Sequence, residues 1–136
     1  MKKNFINLNN KNKGEKYVIY TTLFQVKLFA KSKMIYIDAT FMKSPKYYYQ
    51  TLNIICYCQD TDSNIPVFFI PMSSKNIDLY IEIFNDILNI CNLNKIRIVF
   101  KDTIFMCYFV KALRASITKF FKGVRLKWCY FHCVKC

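Results

Sequence analysis

The chain has 136 residues, 54% of them apolar, which allows one domain with a real core and excludes disorder over most of its length. Its 21 basic residues against 8 acidic ones give a net charge of +13, spread along the chain, which favours a polyanionic partner, nucleic acid ahead of an anionic membrane surface. No stretch has the apolar run of a signal peptide or a membrane span, and 7 cysteines are an odd count for a disulfide framework. The expectation is an intracellular protein, nuclear or cytoplasmic, with no membrane attachment.

Residues 1–16 are rich in Asn and Lys and read as a disordered tract, leaving residues 17–136 as the domain. Thr21 or Thr22 can cap a helix over residues 23–31, where Leu23, Val26, Phe29 and Ala30 fall near helical spacing. A first strand follows at Met34-Ile35-Tyr36-Ile37-Asp38-Ala39-Thr40-Phe41. Lys43 to Tyr49 read as a turn, Gln50 to Cys58 as a second strand, and Gln59 to Asn64 as a polar hairpin loop. Ile65 to Ile70 return as a third strand, with Pro66 near its start and Pro71 just past its end, where a missing N–H is tolerated.

Asn76 and its neighbours can cap a helix over residues 77–91 whose apolar stripe is Leu79, Ile83, Phe84, Ile87, Leu88 and Cys91. Ile96-Arg97-Ile98-Val99-Phe100 is too apolar to alternate and reads as a central strand ending at Lys101-Asp102. A helix over residues 103–121 is expected from Phe105, Phe109, Leu113, Ile117 and Phe120, and a fifth strand over residues 124–130.

The order predicts an α/β fold with a mixed five-stranded sheet, three antiparallel strands continued by parallel ones, and helices packed on it. It matches an α/β sandwich of ribonuclease H type, in which the first and fourth strands are neighbours. Asp38 and Asp102, each ending an apolar run, would then meet. Two carboxylates ~4 Å apart repel by roughly 1–4 kcal/mol unless a cation lies between them, so such a pair suggests Mg²⁺ or Mn²⁺ and phosphoryl-transfer chemistry. The plainer alternative is that both aspartates merely end strands, Asp102 serving as a helix N-cap.

The segments Ile37-Asp38-Ala39-Thr40-Phe41, Tyr49-Gln50-Thr51-Leu52, Ile65-Pro66-Val67-Phe68-Phe69, Lys75 to Tyr80, and Cys129-Tyr130-Phe131-His132 follow one another in a telling order. In order and spacing they resemble the core of Mutator-like (MULE) transposases, over roughly Thr21 to Cys136. The resemblance implies a ribonuclease H-like fold and metal-dependent DNA cleavage and strand transfer in transposition by a carboxylate triad. It further implies DNA as partner, assembly of copies in a transposition complex, and Mg²⁺ or Mn²⁺ as cofactor. It makes Asp38 and Asp102 the first and second catalytic, metal-binding carboxylates, and Cys129 and His132 the family's Cys-x-x-His motif.

The chain departs from that pattern. Ala39 stands where the family has glycine, and Ile104 where it has an acidic residue. No Glu or Asp follows Asp102, so the third carboxylate is expected to be absent, as is the final helix that would carry it. The expectations are therefore an impaired transposase core or, alternatively, a non-catalytic nucleic-acid-binding relic or domesticated fragment.

Cys129, His132, Cys133 and Cys136 offer four zinc ligands within eight residues, too little chain to close a tetrahedron, so the spacing argues against zinc. Cys56, Cys58, Cys91 and Cys107 fit apolar faces. Tyr47-Tyr48-Tyr49 beside Lys43 and Lys46 can stack on bases or pack at a sheet edge. Lys111, Arg114, Lys119, Lys122, Arg125 and Lys127 are candidate phosphate contacts.

Overall fold

A computed structural model describes residues 5–12, 15–40, 47–108 and 110–128, with side chains from residue 15 onward. The strands are β1 (Phe5–Asn12), β2 (Glu15–Thr22), β3 (Met34–Thr40), β4 (Gln50–Cys58), β5 (Ser63–Met72), β6 (Ile104–Cys107) and β7 (Arg125–Trp128). The helices are α1 (Leu23–Lys31), α2 (Ile77–Leu93) and α3 (Lys111–Phe120). The strands make one mixed sheet in the order β1-β2-β5-β4-β3-β6-β7.

The meander β3-β4-β5 forms where alternating and β-branched residues favour a pleated surface. Its pairs are antiparallel, and β6 and β7 continue the sheet in parallel from β3. A register shift between Ile54 and Ile55 brings Pro66 opposite Ile55, so the irregularity falls where a strand proline sits. Strand β5 extends beyond the expected residues to Met72, with Pro71 opposite Thr51.

Side chains on one face of the sheet, among them Ile35, Leu52, Ile54, Phe68, Ile70 and Phe105, are fully buried against the helices. Phe121, just past α3, ties the layers together. Its ring lies 6.0 Å from Phe29 of α1, 5.3 Å from Phe84 of α2 and 5.4 Å from Phe105 of β6. Helix α1 starts on Thr22, whose side chain accepts from the Gln25 N–H, and α2 starts on Asn76, which accepts from Leu79 N–H at 2.9 Å. Among the described residues, no helix is long and apolar enough to cross a membrane.

Two sequence expectations are corrected. Within residues 1–16, expected as disordered, Phe5–Asn12 pairs in full register with Glu15–Thr22, and β2 in turn joins the edge of β5. The run Tyr17 to Tyr20 is β-branched and aromatic, and pairing satisfies backbone groups that β5 would otherwise present at an open edge.

The second correction concerns residues 96–121. Ile96 to Phe100 is an extended connection outside the sheet; Val99 N–H donates to Ala30 C=O at 2.9 Å, at the end of α1. Strand β6 lies instead at Ile104–Cys107, within the run expected to be helical, and α3 begins only at Lys111. Both runs are short and apolar, and periodicity does not separate them; a parallel partner in β3 settled which became the strand.

Candidate functional site

Asp38 sits on β3, between β4 and β6, opposite Asn53. Its Oδ1 is buried. Ile37 and Cys107 are the last pair between β3 and β6, so Asp38 stands one residue beyond the end of that pairing. Tyr108 follows directly after the end of β6, near enough for the charge of Asp38 to act on its phenol.

Tyr108 belongs to a buried polar chain. Its hydroxyl lies 2.9 Å from that of Tyr80 on α2, and Gln50 Nε2 donates to the Tyr80 hydroxyl at 2.8 Å. Burial pushes the Tyr108 phenol well above its ordinary range, with the neighbouring Tyr80 and the charge of Asp38 acting in the same direction. Burial likewise raises Tyr80. Both phenols stay protonated at neutral pH. They are hydrogen-bonding groups, and neither supplies the anionic oxygen that a hard divalent cation prefers.

Asp102 lies elsewhere. It occupies a turn with φ +61°, ahead of β6, and its exposed carboxylate is 3.5 Å from Arg125 Nη2. Ile104 pairs with Met34, so the distance along the strands from Ile104 to the level of Asp38 is already ~13 Å, and Asp102 precedes Ile104. The expected meeting of Asp38 and Asp102 does not occur, because Asp102 enters its strand where the expectation had it leaving one. Two-metal centres hold their ions about 3.5–4 Å apart, so these two carboxylates do not fit a shared Mg²⁺ or Mn²⁺ site. Among the described residues, no group of three or more His, Cys, Asp or Glu side chains is placed to hold a metal. Cys129 and His132 lie outside the described residues.

Asp102 instead lines a cavity of about 570 Å³ together with Lys31, Lys33, Met34, Tyr57 and Cys58. Cys58 is the thiol that sequence reasoning passed over. The Thr61 hydroxyl and backbone amides of the adjoining turn lower its pKa. Burial instead pushes Cys56 up to about 12 and Cys91 up to about 11. The available signal was a Thr three residues beyond Cys58 in a hairpin turn.

The basic candidates lie on α3, on β7 and in the turn between them. Lys111, Arg114, Lys119, Lys122, Arg125 and Lys127 are exposed, while Leu113, Ser116 and Ile117 are buried. No acidic residue occurs between Thr103 and Trp128, and Asp102 just ahead of this stretch pairs with Arg125, so the remaining charges of the stretch are all positive. The Arg114 guanidinium lies 4.7 Å from the centre of the Trp128 ring, which holds it in place without neutralising it. Tyr47 and Tyr48 flank Lys16, whose Nζ is 5.5 Å and 4.8 Å from their ring centres. Lys43 and Lys46 lie outside the described residues.

No family model, curated protein or solved structure matches this chain.

Proposed function

We propose that this chain is a ribonuclease H-like domain of Mutator-like transposase type that binds nucleic acid through its basic surface without cleaving it. The strand order β5-β4-β3-β6-β7, with three antiparallel strands continued by two parallel ones, supports the ribonuclease H-like assignment. The observation that carries the loss of cleavage is the separation of Asp38 from Asp102: Met34 pairs with Ile104, which leaves Asp102 ~13 Å or more along the strands from the level of Asp38. Phosphodiester hydrolysis by the two-metal route needs a second carboxylate beside Asp38, and Asp102 does not supply it. DNA binding rests on net charge +13 and on the exposed basic residues from Lys111 to Lys127. The partner we propose is nucleic acid, met in the nucleus or the cytoplasm.

A supercoiled plasmid incubated with the protein in Mg²⁺ or Mn²⁺ tests this reading. The plasmid is expected to be retarded on a gel without nicking, equally by the parent chain and by Asp38→Asn. Metal-dependent nicking by the parent that disappears in Asp38→Asn would overturn the proposal and restore a catalytic transposase core.

A further inference from the structure

The three helices reach the sheet on a single face, through contacts such as Phe29 to Phe68, 5.1 Å between ring centres, and Gln50 to Tyr80. Side chains alternate across a sheet, so the intervening positions form a second face, which bears no helix among the described residues. That face is rich in rings. Tyr20 on β2 and Phe69 on β5 are paired in register, with ring centres 6.1 Å apart, and are 47% and 42% exposed. Tyr36 on β3 is half-buried, and Tyr57 on β4 is 36% exposed, its hydroxyl donating to the Asp62 carboxylate. At the β7 margin Lys127 pairs with Met106, which pairs with Tyr36, so Arg125 and Lys127 project on the same side as the rings.

We propose that this open face is a stacking platform for single-stranded nucleic acid, with Tyr20, Phe69, Tyr36 and Tyr57 receiving bases and Arg125 and Lys127 receiving phosphates. The inference rests on the nucleic-acid reading above and adds which form is bound and where. Charge selects the occupant. At net +13 a second copy of the chain is repelled, whereas a polyanion is drawn to the cationic margin. Ring geometry selects the form: exposed aromatic faces accept unpaired bases, while bases stacked inside a duplex present no free face to them. Arg125 already lies near Asp102, but both side chains are about two-thirds exposed, so a phosphate can exchange for the carboxylate. Asp38 shares the face, with one carboxylate oxygen buried.

Fluorescence anisotropy of the full chain with a labelled single strand of about 12 nucleotides, and with the matching duplex, tests the platform. Phe69→Ala and Tyr36→Ala are each expected to weaken single-strand binding roughly tenfold, Phe69→Tyr to restore it, and duplex binding to stay unchanged. If the single strand binds as tightly to both alanine variants as to the parent, the platform is wrong while the nucleic-acid reading stands. A concentration-dependent dimer that Phe69→Ala dissolves would place a second copy on this face and also overturn the inference. If the parent binds neither form at low salt, the reading of function itself fails.

Discussion

Tyr108 joins the end of β6 to α2 through a buried pair of hydroxyls. Removing its hydroxyl in Tyr108→Phe breaks the contact with Tyr80 and is expected to cost about 1 kcal/mol, visible as a fall of a few degrees in Tm. Plasmid retardation should not change, because the buried hydroxyl lies among protein groups of α2 and the sheet. The thiols give a second test. Cys58 is held toward its thiolate by Thr61 and lines the cavity at 8% exposed, against 0% for Cys56 and 1% for Cys91, so it should be alkylated before them, and Thr61→Val should slow it; peptide mapping reads both rates. Cys56 holds its proton more tightly folded than unfolded. Its contribution is therefore complete below the ordinary thiol value of 9.0 and is lost as pH rises toward about 12. Tyr80 and Tyr108, also raised by burial, act in the same direction. Tm should decline through this alkaline range, and Cys56→Ala should shallow the decline.

The elements show which parts of the fold can be read locally. Helices α1 and α2 were legible because each combines a side-chain cap with an apolar stripe, Thr22 before α1 and Asn76 before α2. Asn76→Ala should cost about 1 kcal/mol by urea denaturation. The β3-β4-β5 meander was legible from its alternation. Strand β6 was not, because four residues carry too little pattern, and Phe105 continues equally well into the helical spacing of Leu113 and Ile117. The β1–β2 hairpin was missed because its first strand is rich in Asn, a residue depleted in strands, and its stability comes from joining a sheet edge. The layers meet at Phe121, which is 3% exposed and packed against rings of α1, α2 and β6. Phe121→Ala should therefore cost roughly 3–5 kcal/mol, near the whole stability of a small domain, and denaturant titration would show it.

At the scale of the whole molecule, the sequence located Asp38 on a central strand but paired it with the wrong neighbour. That error follows from misplacing one strand, since Asp102 precedes β6 where the expectation had it ending the strand beside β3. The charge pattern needed no such register. The basic residues of α3, β7 and the turn between them were identifiable from residue type alone, and folding left all six exposed. What folding added is the division of the sheet into a helix-covered face and a face lined with tyrosine and phenylalanine, a property of the assembled strands and of no single segment.

The most direct test of the account is the salt dependence of nucleic-acid binding, measured for the parent chain and for Arg114→Ala and Lys119→Ala. The logarithm of the binding constant should fall linearly with the logarithm of salt concentration. Each substitution should reduce the slope by about 1. Binding that is absent at low salt, or a slope that neither substitution alters, would contradict the claim that this basic face holds nucleic acid.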